Sequence, residues 1–289
     1  DEGNTGEMIY LALTLIGSCF ISYGFKLASI KKTDQDYIVF LNYFTAFLGM
    51  AIYCAASGNI EVSGLKNGPM LMLAIFLMLF MFGNLVGNNA STDRNGINNT
   101  TFFNRIGFLP CILLSAIIWM DIPGIWQIVG MMILVGSLML MMKDLKQIKR
   151  ENLWMLFGLT FTNGMVSFLN IVYGRYFSSK MEILFLATVF LMATLLAAVI
   201  LVKKGKMPWK CKKDDFLIGV FIGLSNILIT LFMLKSYTAV TANIVAPTTA
   251  AGNMIFAAVV GKLAFKEKIS RSTVAALILA IVSVVLVNV

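Results

Sequence analysis

The chain has 289 residues, 59% hydrophobic and only 13% charged, with a mean hydropathy of +0.86. Soluble domains carry about 25% charged residues, so this composition excludes a soluble domain and describes a polytopic membrane protein. There is no histidine, which removes imidazole metal ligation, Ser-His catalysis and histidine proton relays. The net charge of +9 gathers in connecting loops, where it reads as membrane topology and not as a nucleic-acid surface.

A membrane-spanning helix needs about 20 mostly apolar residues, and segments near that size predict ten helices. The first (7–30) carries Thr14, Ser18 and Ser22 in one stripe, and it is too long for the core of a cleavable signal peptide. The second (35–57) holds Asn42 and Thr45 and ends at Gly58-Asn59. The third (68–91) opens on Gly68-Pro69 and carries Asn84, Asn88 and Asn89. The fourth (95–120) carries Asn98, Asn99, Thr100, Thr101, Asn104 and Arg105, and closes on the turn Asp121-Ile122-Pro123-Gly124. The fifth (124–142) is almost purely aliphatic, with Ser137 in its interior. After the polar connector Lys143–Glu151 comes the sixth (152–177), whose Asn163, Ser167 and Asn170 share one face. The seventh (181–203) starts beside Glu182 and holds Thr188 and Thr194. The eighth (215–236) has Ser225, Asn226 and Thr230; the ninth (239–265) has Asn243, Thr248, Thr249 and Asn253; the tenth (271–288) has Ser283. Cys19, Cys54, Cys111 and Cys211 are scattered without metal or redox spacing and read as packing residues. No cofactor and no metal are expected.

The halves resemble each other. A shift of 146 residues places Asp121 on Glu267, Ser137 on Ser283, Thr92 on Thr238 and Leu71 on Leu217. The expected division is one five-helix repeat over 1–147 and a second over 148–289. Five is odd, so tandem copies must cross the membrane in opposite senses, as in secondary transporters. Loop charge agrees. The connector 58–67 holds one acid, Glu61, and one base, Lys66, whereas its partner 203–214 holds six lysines. Taken literally, the positive-inside rule puts both termini outside.

Asparagine is costly in lipid, so its distribution separates polar-flecked helices (1, 3, 4, 6, 8 and 9) from peripheral ones (2, 5, 7 and 10). Ten helices in two such halves, each with a long helix that ends in an acid before a short aliphatic one, resemble the drug/metabolite transporter superfamily, EamA type. The stretches that carry the resemblance are Asn104-Arg-Ile-Gly-Phe-Leu-Pro110 through Ile118-Trp-Met-Asp121, and Ala246-Pro-Thr-Thr249 through Lys262-Leu-Ala-Phe-Lys-Glu267. The resemblance implies an all-α integral membrane fold, with the six polar helices around a central cavity that opens alternately to each side. It also implies cytoplasmic termini, against the loop charges. The family's usual Gly-Glu is here Met120-Asp121 and Lys266-Glu267.

Arg105 is the sharpest candidate, because ionisable residues inside a membrane usually face a water-filled cavity or a partner. Its planar fork suits bidentate binding of a carboxylate or phosphate. The plainer reading is that it snorkels to the headgroups. The expected solute-binding set is Arg105 with Asn98, Thr101, Asn104 and Phe108, joined by Asn84, Asn88, Ser18, Ser22, Asn163, Ser167, Asn170, Asn226, Thr248 and Asn253. Each asparagine can equally tie one helix to the next. Lys26, Arg175 and Lys235 lie near helix ends and read as snorkelling. Gly83 with Gly87 and Gly219 with Gly223 fit the GxxxG packing pattern. Glu182, at the start of the seventh helix, is the only acid near a helix interior; the deep bundle otherwise lacks carboxylates, which counts against lipophilic-cation efflux and against proton coupling through a buried acid.

The expected function is a secondary-active or facilitative transporter of small polar metabolites, carboxylate-bearing (an amino acid or organic acid) or phosphorylated, and not an enzyme. A broad-specificity drug or cation exporter is the alternative within the class. From another class stands an integral membrane enzyme for lipid or sugar-phosphate substrates, although such enzymes usually cluster Asp, His or Lys at the interface. The expected partners are a small-molecule substrate and the lipid bilayer, with no nucleic acid. The compact form points to a bacterial inner membrane.

Overall fold

The computed structural model describes residues 2–56, 67–141, 152–266 and 270–289, apart from the side chains of 2–8, 93, 97 and 98. The connectors 58–66, 143–151 and the acid Glu267 therefore lie outside the described residues. Among these residues the chain is helical throughout, without strands: α1 Glu2–Lys31, α2 Gln35–Ala56, α3 Gly68–Asn95, α4 Ile97–Arg105, α5 Phe108–Trp119, α6 Ile125–Met141, α7 Leu153–Tyr176, α8 Glu182–Lys203, α9 Lys213–Ala239, α10 Ala242–Phe265 and α11 Arg271–Val287. Short 3-10 turns precede α8 and α9. Among the described residues eight stretches are long and apolar enough to cross a membrane, one of them running through α4 and α5 from Asn99 to Trp119. The other two apolar helices, α6 and α11, have 17 residues each, at the short end of what a bilayer needs. The chain is a multi-span membrane protein.

The predicted fourth helix is the one element that differs in kind. It is not continuous: Ile106 and Gly107 form a turn between α4 and α5. Pro110 explains the break. It has no N–H for the Ile106 carbonyl, and its ring would collide with that carbonyl in a regular helix. In the first turn of a new helix, where that N–H has no partner to lose, proline is tolerated.

The described residues pack as two compact units, each drawing on both halves of the sequence. The first comprises residues 1–79 and 173–238, hence α1, α2, α8 and α9 with the ends of α3 and α7. In it α2 and α8 run antiparallel. Asp36 at the start of α2 meets Lys204 just past the end of α8 at 2.6 Å, and Tyr43 and Phe190 meet in between. Helix α9 lies against both α2 and α1 through small residues. A Cβ added at Gly219 or Gly223 would stand 2.6 Å from Leu41 or Thr45, and one added at Gly24 would stand 2.6 Å from Ile222. The Gly219–Gly223 pair is therefore used inside the unit. The start of α9 is fixed by Asp215, which accepts the backbone N–H groups of Lys212 and Asp34 at 3.3 and 3.1 Å, the acidic half of a capping box extended to a neighbouring loop.

The second unit comprises residues 80–172 and 239–289. Here α6 and α11 form the antiparallel pair: Gly130 near the start of α6 faces Val287 at the end of α11, and the Ser137 hydroxyl donates to the Ala276 carbonyl at 2.6 Å. Equivalent elements recur along the chain. Helix α6 starts at 125 and ends at 141, and α11 starts at 271 and ends at 287, both offsets being 146 residues. At that same offset Met120 and Lys266, which cap α5 and α10, both adopt the left-handed conformation (φ 57° and 53°).

Candidate functional site at an interrupted helix

A helix interrupted inside a membrane must find partners for the carbonyls that lose their regular donors, because lipid offers none. At the α4–α5 break those partners come from α7. Gly107 N–H reaches only back to the Asn104 carbonyl, at 3.2 Å, and leaves the Phe103 carbonyl. The Thr160 hydroxyl donates to Phe103 O at 2.6 Å, and the Asn163 amide donates to Asn104 O at 2.7 Å. The approach requires two glycines. A Cβ on Gly107 would stand 2.7–2.8 Å from Asn163 atoms, and one on Gly164 would stand 2.7 Å from the Gly107 carbonyl and 2.8 Å from Pro110.

From α3, Asn84 completes the mesh. Its amide donates to the Asn104 side-chain carbonyl at 3.3 Å, to Thr162 at 3.1 Å and to the Leu159 carbonyl at 3.3 Å. Asparagines 84, 104 and 163 thus tie α3, α4 and α7 together around the break. Thr100 contributes a further tie, to Ser91 on α3 at 2.8 Å.

Arg105 is the last residue of α4. Its guanidinium donates from Nη2 to the Asn253 carbonyl of α10 at 3.3 Å. Among the described residues no carboxylate pairs with it. The side chain is half-buried, and Phe102, Phe103 and Phe108 around the break are buried. Asn253 holds its own side-chain oxygen buried, without a partner among the described residues. The arrangement is a fixed cation with spare N–H donors, at the end of a half-helix, beside an unsatisfied amide oxygen.

The remaining candidates fall in several places. In the second unit, Thr101 and Asn88 are half-buried, and Asn88 accepts from Thr92 through its backbone. Ser167 is buried, and buried Asn170 donates to the Val166 carbonyl one turn back while its oxygen has no partner among the described residues. Thr248 is buried and accepts from Asn288 at 3.3 Å. The Asn98 side chain lies outside the described residues. In the first unit, Ser18 and Ser22 donate to carbonyls one turn back in α1. Asn226 bonds to Asn42 of α2 at 3.1 Å and accepts from Thr230. The structure therefore brings together Asn84, Asn104, Arg105, Asn163 and Asn253, whereas Ser18, Ser22 and Asn226 serve helix contacts in the other unit. Thr160, Thr162, Gly107 and Gly164 escaped the sequence reading. The available signal was the Gly107-x-x-Pro110 spacing inside an otherwise helical run, with Gly164 directly after Asn163.

Comparison with known proteins agrees with this architecture. A solved crystal structure aligns with a TM-score of 0.75 over 98% of this chain and 96% of its own, at 10% identity, which shows a shared fold. No curated protein matches the sequence. Residues 152–289 match the profile of the EamA-like transporter family. Through that half the chain belongs to the EamA-like transporters of the drug/metabolite transporter superfamily, and so to a family of membrane transporters.

Proposed function

We propose that this transporter moves small polar solutes bearing a carboxylate or a phosphate, and that Arg105 binds the anionic group. The observation that carries the reading is the guanidinium at the α4–α5 break, held by a single backbone carbonyl and facing no carboxylate among the described residues. Discontinuous helices recur at the binding sites of secondary transporters because their ends present unsatisfied polar groups to the solute. A guanidinium has five N–H donors in a fork that matches two oxygens of a carboxylate or phosphate. The Asn253 side-chain oxygen, buried and unpaired, accepts a donor from the same solute. Buried Phe102, Phe103 and Phe108 exclude water around the contact and so strengthen it. Transport then follows from two inverted halves, 1–147 and 148–289, that expose the site alternately.

The test is thermal stabilisation of the purified protein by amino acids, organic anions, sugar phosphates and lipophilic cations, with Arg105→Ala alongside. A saturable shift from one anionic class, lost in the variant, is expected, and solute flux in vesicles follows for that class. Shifts from lipophilic cations that persist in Arg105→Ala would overturn the anion reading in favour of a cation exporter.

A further inference from the structure

The first unit contains a second ionic group, far from Arg105 in sequence and unused by the reading above. Glu182, the first residue of α8, is 3% exposed. Its Oε2 lies 3.8 Å from Nζ of Lys235 on α9. Asp215, a carboxylate buried to a similar degree, accepts two backbone N–H groups. Glu182 accepts no hydrogen bond from the described residues. Its compensation is the distant ammonium and the N-terminus of its own helix, a term of about 0.3–1 kcal/mol.

The surroundings are specific. Lys235 also lies over the Tyr10 ring of α1, 5.5 Å from its centre, and Tyr10 stacks on Phe232 of α9. From α7, Tyr173 stacks on Phe185 of α8 at 4.3 Å and donates its hydroxyl to the Ser178 carbonyl, in the turn that leads into Glu182. The charged and titratable groups that face Glu182 are thus Lys235 from α9 and Tyr173 from α7, with Tyr10 of α1 behind the lysine; Lys180, in the preceding turn, is exposed. The Lys235 side chain is 35% exposed, so water reaches the pair from the lysine side.

A carboxylate taken out of water costs several kcal/mol, and an ion pair offsets that only with close geometry and further hydrogen bonds. At 3.8 Å the pair lacks the short charge-assisted contact of about 2.7–2.9 Å that makes such pairs strong. Ionised-and-paired and protonated-and-neutral are therefore closely balanced alternatives. We propose that Glu182 is a proton-binding site, at which one proton from water converts the carboxylate to the acid and releases the Lys235 ammonium, so that α8 is untied from α9 at this end. The site goes from neutral to a single positive charge, and proton binding is thereby linked to the packing of α8 with α9. This provides a coupling site for protons that does not depend on which solute Arg105 holds.

Dicyclohexylcarbodiimide, which reacts with protonated carboxyl groups in apolar surroundings, tests the site on the full-length protein in vesicles, with peptide mass mapping of the adduct. The expected result is an adduct on Glu182 whose yield falls about tenfold per pH unit above that residue's own pKa, in a scan from about pH 5 to about pH 9. In Lys235→Gln, which removes the cation that favours the ionised form, labelling should persist to higher pH. Infrared difference spectra between acid and alkaline protein provide a second readout independent of reagent access: a protonated-carboxyl band that disappears in Glu182→Gln. Absence of that band in the wild type, or a Glu182 signal indifferent to Lys235→Gln, would overturn the proposal and leave the pair a fixed tie. Neither result bears on Arg105.

Discussion

Gly107→Ala tests the structural logic of the interrupted helix most directly. The residue sits at φ −55° and ψ −15°, ordinary right-handed geometry, so alanine meets no backbone strain. It even restricts the unfolded chain, a gain of about 0.4–1 kcal/mol. The cost comes from space alone. The new methyl would stand 2.7 Å from Asn163 Nδ2, 2.8 Å from Asn163 Cβ and 2.9 Å from Asn104 O. Two of those atoms belong to the hydrogen bond that satisfies the broken helix. Overpacking costs about 1–3 kcal/mol, and loss of the Asn163 bond adds about 0.6 kcal/mol on the scale of membrane proteins. The net expectation is a loss of about 1–3 kcal/mol, or on the order of 5 °C in melting temperature. Because Asn104 precedes Arg105, the anion-dependent thermal shift should also shrink. Gly136→Ala and Gly158→Ala are the controls, since a Cβ at either position meets nothing within 4 Å, and both should be neutral or stabilising by up to about 1 kcal/mol. Melting curves in detergent, with and without a stabilising anion, decide the matter. If Gly107→Ala melts with the controls and keeps its anion shift, the break is not held as described.

Two other predictions rest on positions away from the break. Met120→Gly and Lys266→Gly each place glycine at a left-handed cap (φ 57° and 53°), where a side chain is strained; each should raise stability by about 0.5–1 kcal/mol, and a lower melting temperature in both would refute the account of the caps. Lys206 donates to Asp34 at 2.5 Å and to Asp36 at 2.6 Å. Partial burial lowers its proton affinity, but the two carboxylates outweigh that and hold it above the ordinary lysine value. A group whose folded pKa is raised lends stability that is complete below its unfolded value, about 10.4, and lost as pH rises through the folded value. Lys206→Met should therefore melt slightly lower at neutral pH, by about 1 kcal/mol or less, and lack the extra alkaline loss of the wild type. Identical alkaline profiles would refute the assignment.

The apolar segments were legible because bilayer thickness sets their length and loops interrupt them with Gly, Pro and charge. Helices α6 and α11 fall within a residue or so of the expected 124–142 and 271–288. The break in the fourth segment was not legible. Ile106, Gly107 and Phe108 continue an apolar helical pattern, and Pro110 inside a membrane helix marks a kink as readily as a new first turn. What decides is the fit of Thr160 against the Phe103 carbonyl and of Asn163 and Gly164 against Gly107, contacts between residues more than fifty positions apart. The Glu182–Lys235 pair was hidden in the same way. Lys235 lies near a helix end and reads alone as snorkelling, Glu182 reads as the one acid near a helix interior, and nothing in the sequence pairs residues more than fifty positions apart.

The asparagine mesh also explains why Arg105 is left with so few partners of its own. Asn104 O is taken by Gly107 and Asn163, Phe103 O by Thr160, and the Asn104 side chain by Asn84. A half-buried cation held by a single backbone carbonyl recovers little of what it costs to withdraw its charge from water. Replacing such a charge by an apolar side chain of similar volume is often neutral or stabilising, by about 1–4 kcal/mol when a whole buried ionic group is removed. On the proposed reading, then, Arg105→Met should melt at or above the wild type without solute. With a saturating anion the order should reverse: the wild type gains about 2.7 kcal/mol at a hundredfold excess over its dissociation constant, and the variant gains nothing. An Arg105→Met protein that melts well below the wild type without solute would mean that the guanidinium is a structural tie to α10 through Asn253, and the anion site would have to be sought elsewhere.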